Sequence, residues 1–256
     1  MPSPTRLAVL LCRVLEDECA EFLRTIPGIV HRESLPQGLH QDPARLAHEL
    51  QAAVERIEAH TTADVIVLGY GLCSRATANL RTSRCQLVLP RAHDCITLLL
   101  GSRERYTEYV ARHPGTYWYS AGWIRHHLPP GQERCERLRA DYRERFGDDN
   151  AEFLLETEQS WLHAYDRATY IDWGLASTTD DVAYTQRCAD WLGWAFDRQT
   201  GDPTLLRDLL TGPWDDERFL VLQPGDALRL TDDPRIVEIT PPNSVTPPVM
   251  AGRVEP

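Results

Sequence analysis

Short apolar runs alternate with longer stretches of helical period along this chain. RLAVLLC (6–12) is brief, apolar and valine-bearing, which predicts a buried strand. RVLEDECAEFL (13–23) follows as an amphipathic helix with Leu15, Cys19 and Phe22 on one face. DPARLAHELQAAVERIEAH (42–60) predicts a second helix, with Asp42 as N-cap and Pro43 in the first helical position. DVIVL (64–68) is a strand running into the glycine-bearing GYGLC, and QLVLP (86–90) is a third strand ended by Pro90. DCITLLLGSRERYTEYVARH (94–113) reads as one helix capped by Asp94, and GTYWYSAGW (115–123) as a strand and loop.

The second half is patterned less sharply. Residues 130–146 and 150–165 read as helical, ATYIDW (168–173) as a strand, and DDVAYTQRCADWLGWAFDRQ (180–199) as helix. RFLVLQPGDALRL (218–230) resembles two strands around a Pro-Gly-Asp turn. From Pro241 the proline-rich remainder lacks an apolar pattern, so an extended or disordered tail is expected. Strands alternating with helices predict an α/β fold: an open, mainly parallel sheet with flanking helices. The simplest division is an N-terminal lobe (1–125), a C-terminal lobe (126–240) and the tail (241–256).

Composition narrows the partners. The formal net charge of −11 disfavours nucleic acid or an anionic membrane. All 27 basic residues are arginine, so neither Schiff-base chemistry nor a P-loop lysine is available. The start of the chain lacks the long apolar region of a signal peptide, and no run reaches the roughly 18 apolar residues of a membrane span. Seven cysteines at irregular spacing do not form a disulfide framework, so reduced thiols and a cytoplasmic setting are expected.

Placed on the map of elements, the cysteines form a pattern. Cys12 ends the first predicted strand, Cys73 lies just beyond the second and Cys95 just beyond the third. Parallel strands joined by crossovers share one carboxyl edge, where ligands bind, so three thiols distant in sequence can converge there. Thiolates favour zinc, iron–sulfur clusters and other soft or borderline metals. His93 can complete such a set or orient a ligand. Cysteine is also among the most buried residue types, and Cys12 can equally be the last core residue of its strand. Cys95, in the first turn after Asp94, would gain thiolate character from the helix dipole.

The remaining candidates are less specific. Gly69 and Gly71 offer backbone that can approach a ligand closely. Arg75 and Arg91 flank the same edge and suit a carboxylate or phosphate, although arginines at loop ends are usually solvated. Leu154, Glu158, Trp161 and Tyr165 share a helical stripe, which makes Glu158 either an acid/base group or a residue at the margin of the face. Tyr117, Trp118, Tyr119 and Trp123 can wall a pocket for a flat ligand or simply pack in a core. The adjacent His126 and His127 make a poor chelate because their rings diverge in regular structure.

The segments VLGYGLCSRATANL, LVLPRAHDCITLLLGSRERY and PGTYWYSAGW resemble a bacterial and archaeal family of domains of unknown function, domain-of-unknown-function family 1638. The likeness runs from LLCRVLEDE to about WLHAYDRATYID, and Cys12, Cys73, His93, Asp94 and Cys95 stand at motif positions. LCSRATANL departs from the family's more glycine-rich loop. Members are often encoded beside corrinoid-dependent methyltransferase systems, so the resemblance implies corrinoid or one-carbon chemistry and a corrinoid or methyltransferase partner protein. The expectation is a metal-dependent transferase acting on a small molecule, with Cys12, Cys73 and Cys95 holding zinc or an iron centre and His93 as ligand or base. Its rivals are a non-catalytic carrier or insertion protein for a metal, cluster or corrinoid, and a metal-free enzyme with Cys95 as nucleophile and His93 as base.

Overall fold

The computed structural model describes residues 5–72, 75–231 and 237–240. The first sheet is built from β1 (Leu7–Cys12), β2 (Ile29–Leu35), β3 (Val65–Gly69), β4 (Gln86–Pro90) and β8 (Phe219–Leu222). Its order is β2-β1-β3-β4-β8, parallel except for the antiparallel edge strand β8. Every residue of β1 and β3 is buried, as expected of central strands covered on both faces. Helices α1 (Glu16–Thr25) and α2 (Pro43–His60) follow β1 and β2, and Asp42 caps α2 by accepting from the Arg45 amide at 3.0 Å.

A second, wholly parallel sheet has the order β5-β6-β7, from Thr116–Tyr119, Arg167–Asp172 and Ala195–Thr200. Between its strands lie α5 (Ala121–His126), α6 (Gln132–Phe146), α7 (Asp148–Gln159) and α8 (Thr178–Leu192). The division expected near residue 125 does not follow sheet membership. β5 joins the second sheet, and β8 returns from the far end of the sequence to the first. An antiparallel pair of β9 (Ala227–Leu230) and β10 (Val237–Thr240) completes the described chain. β8 and β9, the two strands read around Pro-Gly-Asp, pair with β4 and β10 rather than with each other.

Several elements differ from expectation, among them the loop read over SAGW, which opens α5. The helix expected over residues 94–113 is two helices, α3 (Cys95–Leu100) and α4 (Arg103–Arg112). Gly101 takes the left-handed conformation at φ 80° and Ser102 caps α4 anew, so the chain turns where a continuous helix was read. GWAFDRQ, read as the end of a helix, leaves α8 through Gly193 at φ 71° and becomes β7. The polar, half-exposed β2 and the helix α9 (Thr204–Thr211) gave no reading in the sequence. The expected tail from Pro241 lies outside the described residues.

The carboxyl ends of the two sheets meet. Gly122, in the first turn of α5, packs so closely on the turn after β1 that an added Cβ would stand 2.1 Å from the Val14 carbonyl oxygen. The Gly122 amide donates to Glu18 Oε1 at 3.3 Å, which ties α5 to α1. Trp173, just past β6, donates to the Leu99 carbonyl of α3 at 3.0 Å.

Candidate functional site

Strand order locates the site. β2 lies on one side of β1 and β3 on the other, so the winding reverses between β1 and β3, the position at which open α/β sheets bind ligands. Cys12 is the last residue of β1, fully buried, and pairs with Leu35 at the end of β2. Past β2 the chain makes a tight turn over Gln37–Gln41 that carries His40 back over the same edge. Cys12 Sγ and His40 Nε2 stand 3.4 Å apart. The His40 ring stacks on buried Tyr70, which directly follows β3, with centroids 6.1 Å apart and planes at 15°.

Cys95 arrives from the other side. It is the first residue of α3 and is buried, and Asp94 caps the helix by accepting from the Thr97 amide at 3.0 Å. The exits of β3 and β4 lie in contact. Leu72 donates to the Ala92 carbonyl at 2.9 Å, and a Cβ on Gly71 would meet the Asp94 backbone at 2.5 Å. Gly71 is therefore required by the chain's own backbone, and Gly69 packs against the end of the Leu11 side chain, which an added Cβ would meet at 2.3 Å. The close approach expected toward a ligand at these two glycines is an approach of protein to protein.

Cys12 carries thiolate character where the two thiols meet. The Cys95 thiol donates to Cys12 and is the largest influence holding its pKa well below the ordinary thiol range. Burial opposes this, and the hydrogen bond and charge of His40 and the Val14 amide reinforce it. Cys19 shows the contrary case: fully buried without such partners and near Glu18 and Glu16, its thiol is pushed up.

The other expected residues separate. His93 is exposed, and the imidazole that reaches Cys12 is His40. Arg91 is buried, with its guanidinium on the Asp216 carbonyl at 2.7 Å and the Asp216 carboxylate at 2.8 Å, so it clamps its own chain. Arg75 is exposed. Glu158 is paired with Arg134 at 3.0 Å. Trp118 packs on Tyr109 and Tyr119 is fully buried, so these two aromatics are core. Trp123 packs at the edge of the core, donating to the Tyr117 hydroxyl at 3.3 Å with its ring 4.9 Å from that of His127. Cys73 lies outside the described residues. Among the described residues no group of three His, Cys, Asp or Glu side chains is placed to hold a metal ion.

His127, read from its spacing as half of a poor chelate, lies close enough to His40 to feel its charge. Burial first, and then the charges of Arg134 and His40, lower its pKa to about 4. A strand-exit reading of PQGLHQ would have found His40, had IVHRESL been recognised as a strand.

Glu18 of α1 is almost fully buried, and burial raises its pKa to about 7 against hydrogen bonds from the Gly122 amide and the Ser120 hydroxyl. The unfolded carboxyl titrates near 4.5, so the folded form holds the proton more tightly between these values. Stability therefore falls as pH rises from about 4.5 through 7, with a span on the order of 3 kcal/mol. Glu18→Gln should be more stable than the parent at pH 8 and nearly equal to it near pH 4.5, measured by denaturant unfolding at both pH values.

These features define a class: an α/β protein with a buried thiol–imidazole cluster at a topological switch point, between the facing carboxyl edges of two parallel sheets. The chain belongs to the DUF1638 family, described as a protein of unknown function, whose family model matches residues 34–210. No curated protein and no solved structure matches the chain. No helix among the described residues is long and apolar enough to cross a membrane.

Proposed function

We propose that this thiol–imidazole cluster is a thiolate metal centre that acts on a small-molecule substrate. Among the described residues Cys12, Cys95 and His40 do not by themselves form a three-ligand site, and Cys73 completes the set. The observation that carries this reading is the meeting of Cys12 with His40 at 3.4 Å and with the Cys95 thiol. Two soft sulfur donors and one imidazole suit zinc, and iron is the runner-up. A sulfur at roughly 2.3 Å and a nitrogen at about 2.05 Å from one tetrahedral ion stand about 3.6 Å apart, close to the spacing of Cys12 and His40. When bound, such an ion supplies positive charge that keeps a thiol or water deprotonated at neutral pH. The protein's part is to fix the donors: Tyr70 holds the His40 ring by stacking, and the Asp94 cap sets the first turn of α3 that carries Cys95.

Methyl transfer is the reaction class we favour, on the family's association with corrinoid methyltransferase systems. Anaerobic purification followed by elemental analysis tests the centre. Wild-type protein should carry near-stoichiometric zinc or iron and Cys73→Ser should carry little; metal-free protein in both would sink the reading. Rapid exchange of the metal with a partner protein, without turnover, would indicate a carrier.

A second reading draws on the same contact. A Cys12 thiolate beside an imidazole is also the arrangement of a metal-free nucleophile and its base. It requires Cys12 and His40 but not Cys73, so Cys73→Ser separates the two.

A further inference from the structure

A partly buried arginine beside an aromatic cluster has one buried guanidinium nitrogen without a hydrogen bond. Arg134 stands in the first turn of α6. Its Nη2 meets Glu158, but its Nη1 is buried and makes no hydrogen bond. The guanidinium carbon lies 5.7 Å from the centre of the Trp161 ring. Trp161 packs at 6.0 Å on Tyr117, which also meets Trp123 at 6.5 Å, Tyr165 at 5.4 Å and Trp194 at 6.2 Å. The charges of Arg134 and His40 both act on His127, so the arginine and the imidazole beside Cys12 share that ring as a neighbour.

A buried donor left without an acceptor is costly, and a ligand atom that accepts from it would remove that cost. From these observations we infer that Arg134 is the anchor of a substrate subsite, and that its ligand is a small monocarboxylate with a planar apolar body. The guanidinium fork matches a carboxylate, and the aromatic side chains beside it suit the body. Glu158 already faces the other end of the fork, so a single negative charge is the better match. A phosphate dianion would bury charge in excess. The anion site expected at Arg75 and Arg91 thus falls to an arginine from the second sheet's helices, and Glu158 serves as its counter-ion.

The inference deepens the metal-centre reading by naming the substrate class of that centre. Sodium benzoate is the probe, with benzamide as its neutral counterpart and inorganic phosphate as the dianion. Trp123, Trp161 and Trp194 report binding by fluorescence. Benzoate should bind saturably, with benzamide and phosphate at least about tenfold weaker, and Arg134→Gln should cost benzoate about tenfold or more. Arg134→Lys should fall between, since it keeps the charge and loses the fork; it also provides a reading if Arg134→Gln fails to fold by circular dichroism. Absence of saturable benzoate binding, equal affinity for benzamide, a preference for phosphate, or undiminished binding by folded Arg134 variants would each overturn the subsite. Metal content measured on the same samples separates the two readings. Metal-free protein with Arg134-dependent benzoate binding removes only the centre, and metal-loaded protein indifferent to benzoate's charge removes only the subsite.

Discussion

Cys12→Ser is expected to lower metal affinity by at least roughly 100-fold. Changes to groups that merely orient a ligand already cost 10–100-fold, and Cys12 is the donor both other groups touch. A serine hydroxyl fills nearly the same volume, yet it stays protonated at neutral pH and is a poor ligand for a borderline metal. The fold should survive, because only one sulfur at a strand end changes. Competition with a chromophoric zinc chelator measures the loss, and circular dichroism confirms the fold. An affinity unchanged within a factor of about three would remove Cys12 from the centre.

The second large effect is on stability. Gly122→Ala places a methyl 2.1 Å from the Val14 carbonyl oxygen and 2.7 Å from its carbon, and both contacts are backbone. Neither partner is a flexible side-chain end, so the junction of α5 with the turn after β1 must open. Overpacking of this kind costs about 3 kcal/mol, near the upper end of ordinary substitutions. The same opening disturbs the Gly122 bond to Glu18 and pulls the two carboxyl edges apart. Gly38→Ala is the matched control: its added Cβ meets nothing within 4 Å, so its effect should stay within about 0.5 kcal/mol. Urea unfolding of both variants measures the difference, and equal midpoints would refute the tight junction.

The sequence was most informative where one residue type has one physical use. Buried strands β1, β3 and β4 are short, apolar runs, and Asp42 and Asp94 cap the helices they precede. From those strands alone Cys12 and Cys95 fall on one edge, and the structure brings them together. The half-exposed β2 escaped because its pattern IVHRESL mixes polar and apolar residues, and with it went His40, whose position depends on that strand. His93 stood inside the motif and drew attention by adjacency, yet adjacency in sequence does not set direction, and its side chain is exposed. Arg91 and Arg134 show the same limit: no local signal distinguishes a clamp on the chain's own Asp216 from a guanidinium with one nitrogen left without a hydrogen bond.

Cobalt(II) substitution tests the metal centre most directly, because thiolate-to-cobalt charge-transfer absorption requires sulfur on the ion. The account predicts an intense near-ultraviolet charge-transfer band in wild-type protein that weakens stepwise in Cys12→Ser, Cys73→Ser and Cys95→Ser. His40→Ala should shift the visible d–d bands while leaving the sulfur band in place. Protein that takes up no cobalt, or takes it up with the same spectrum in all three cysteine variants, would contradict it.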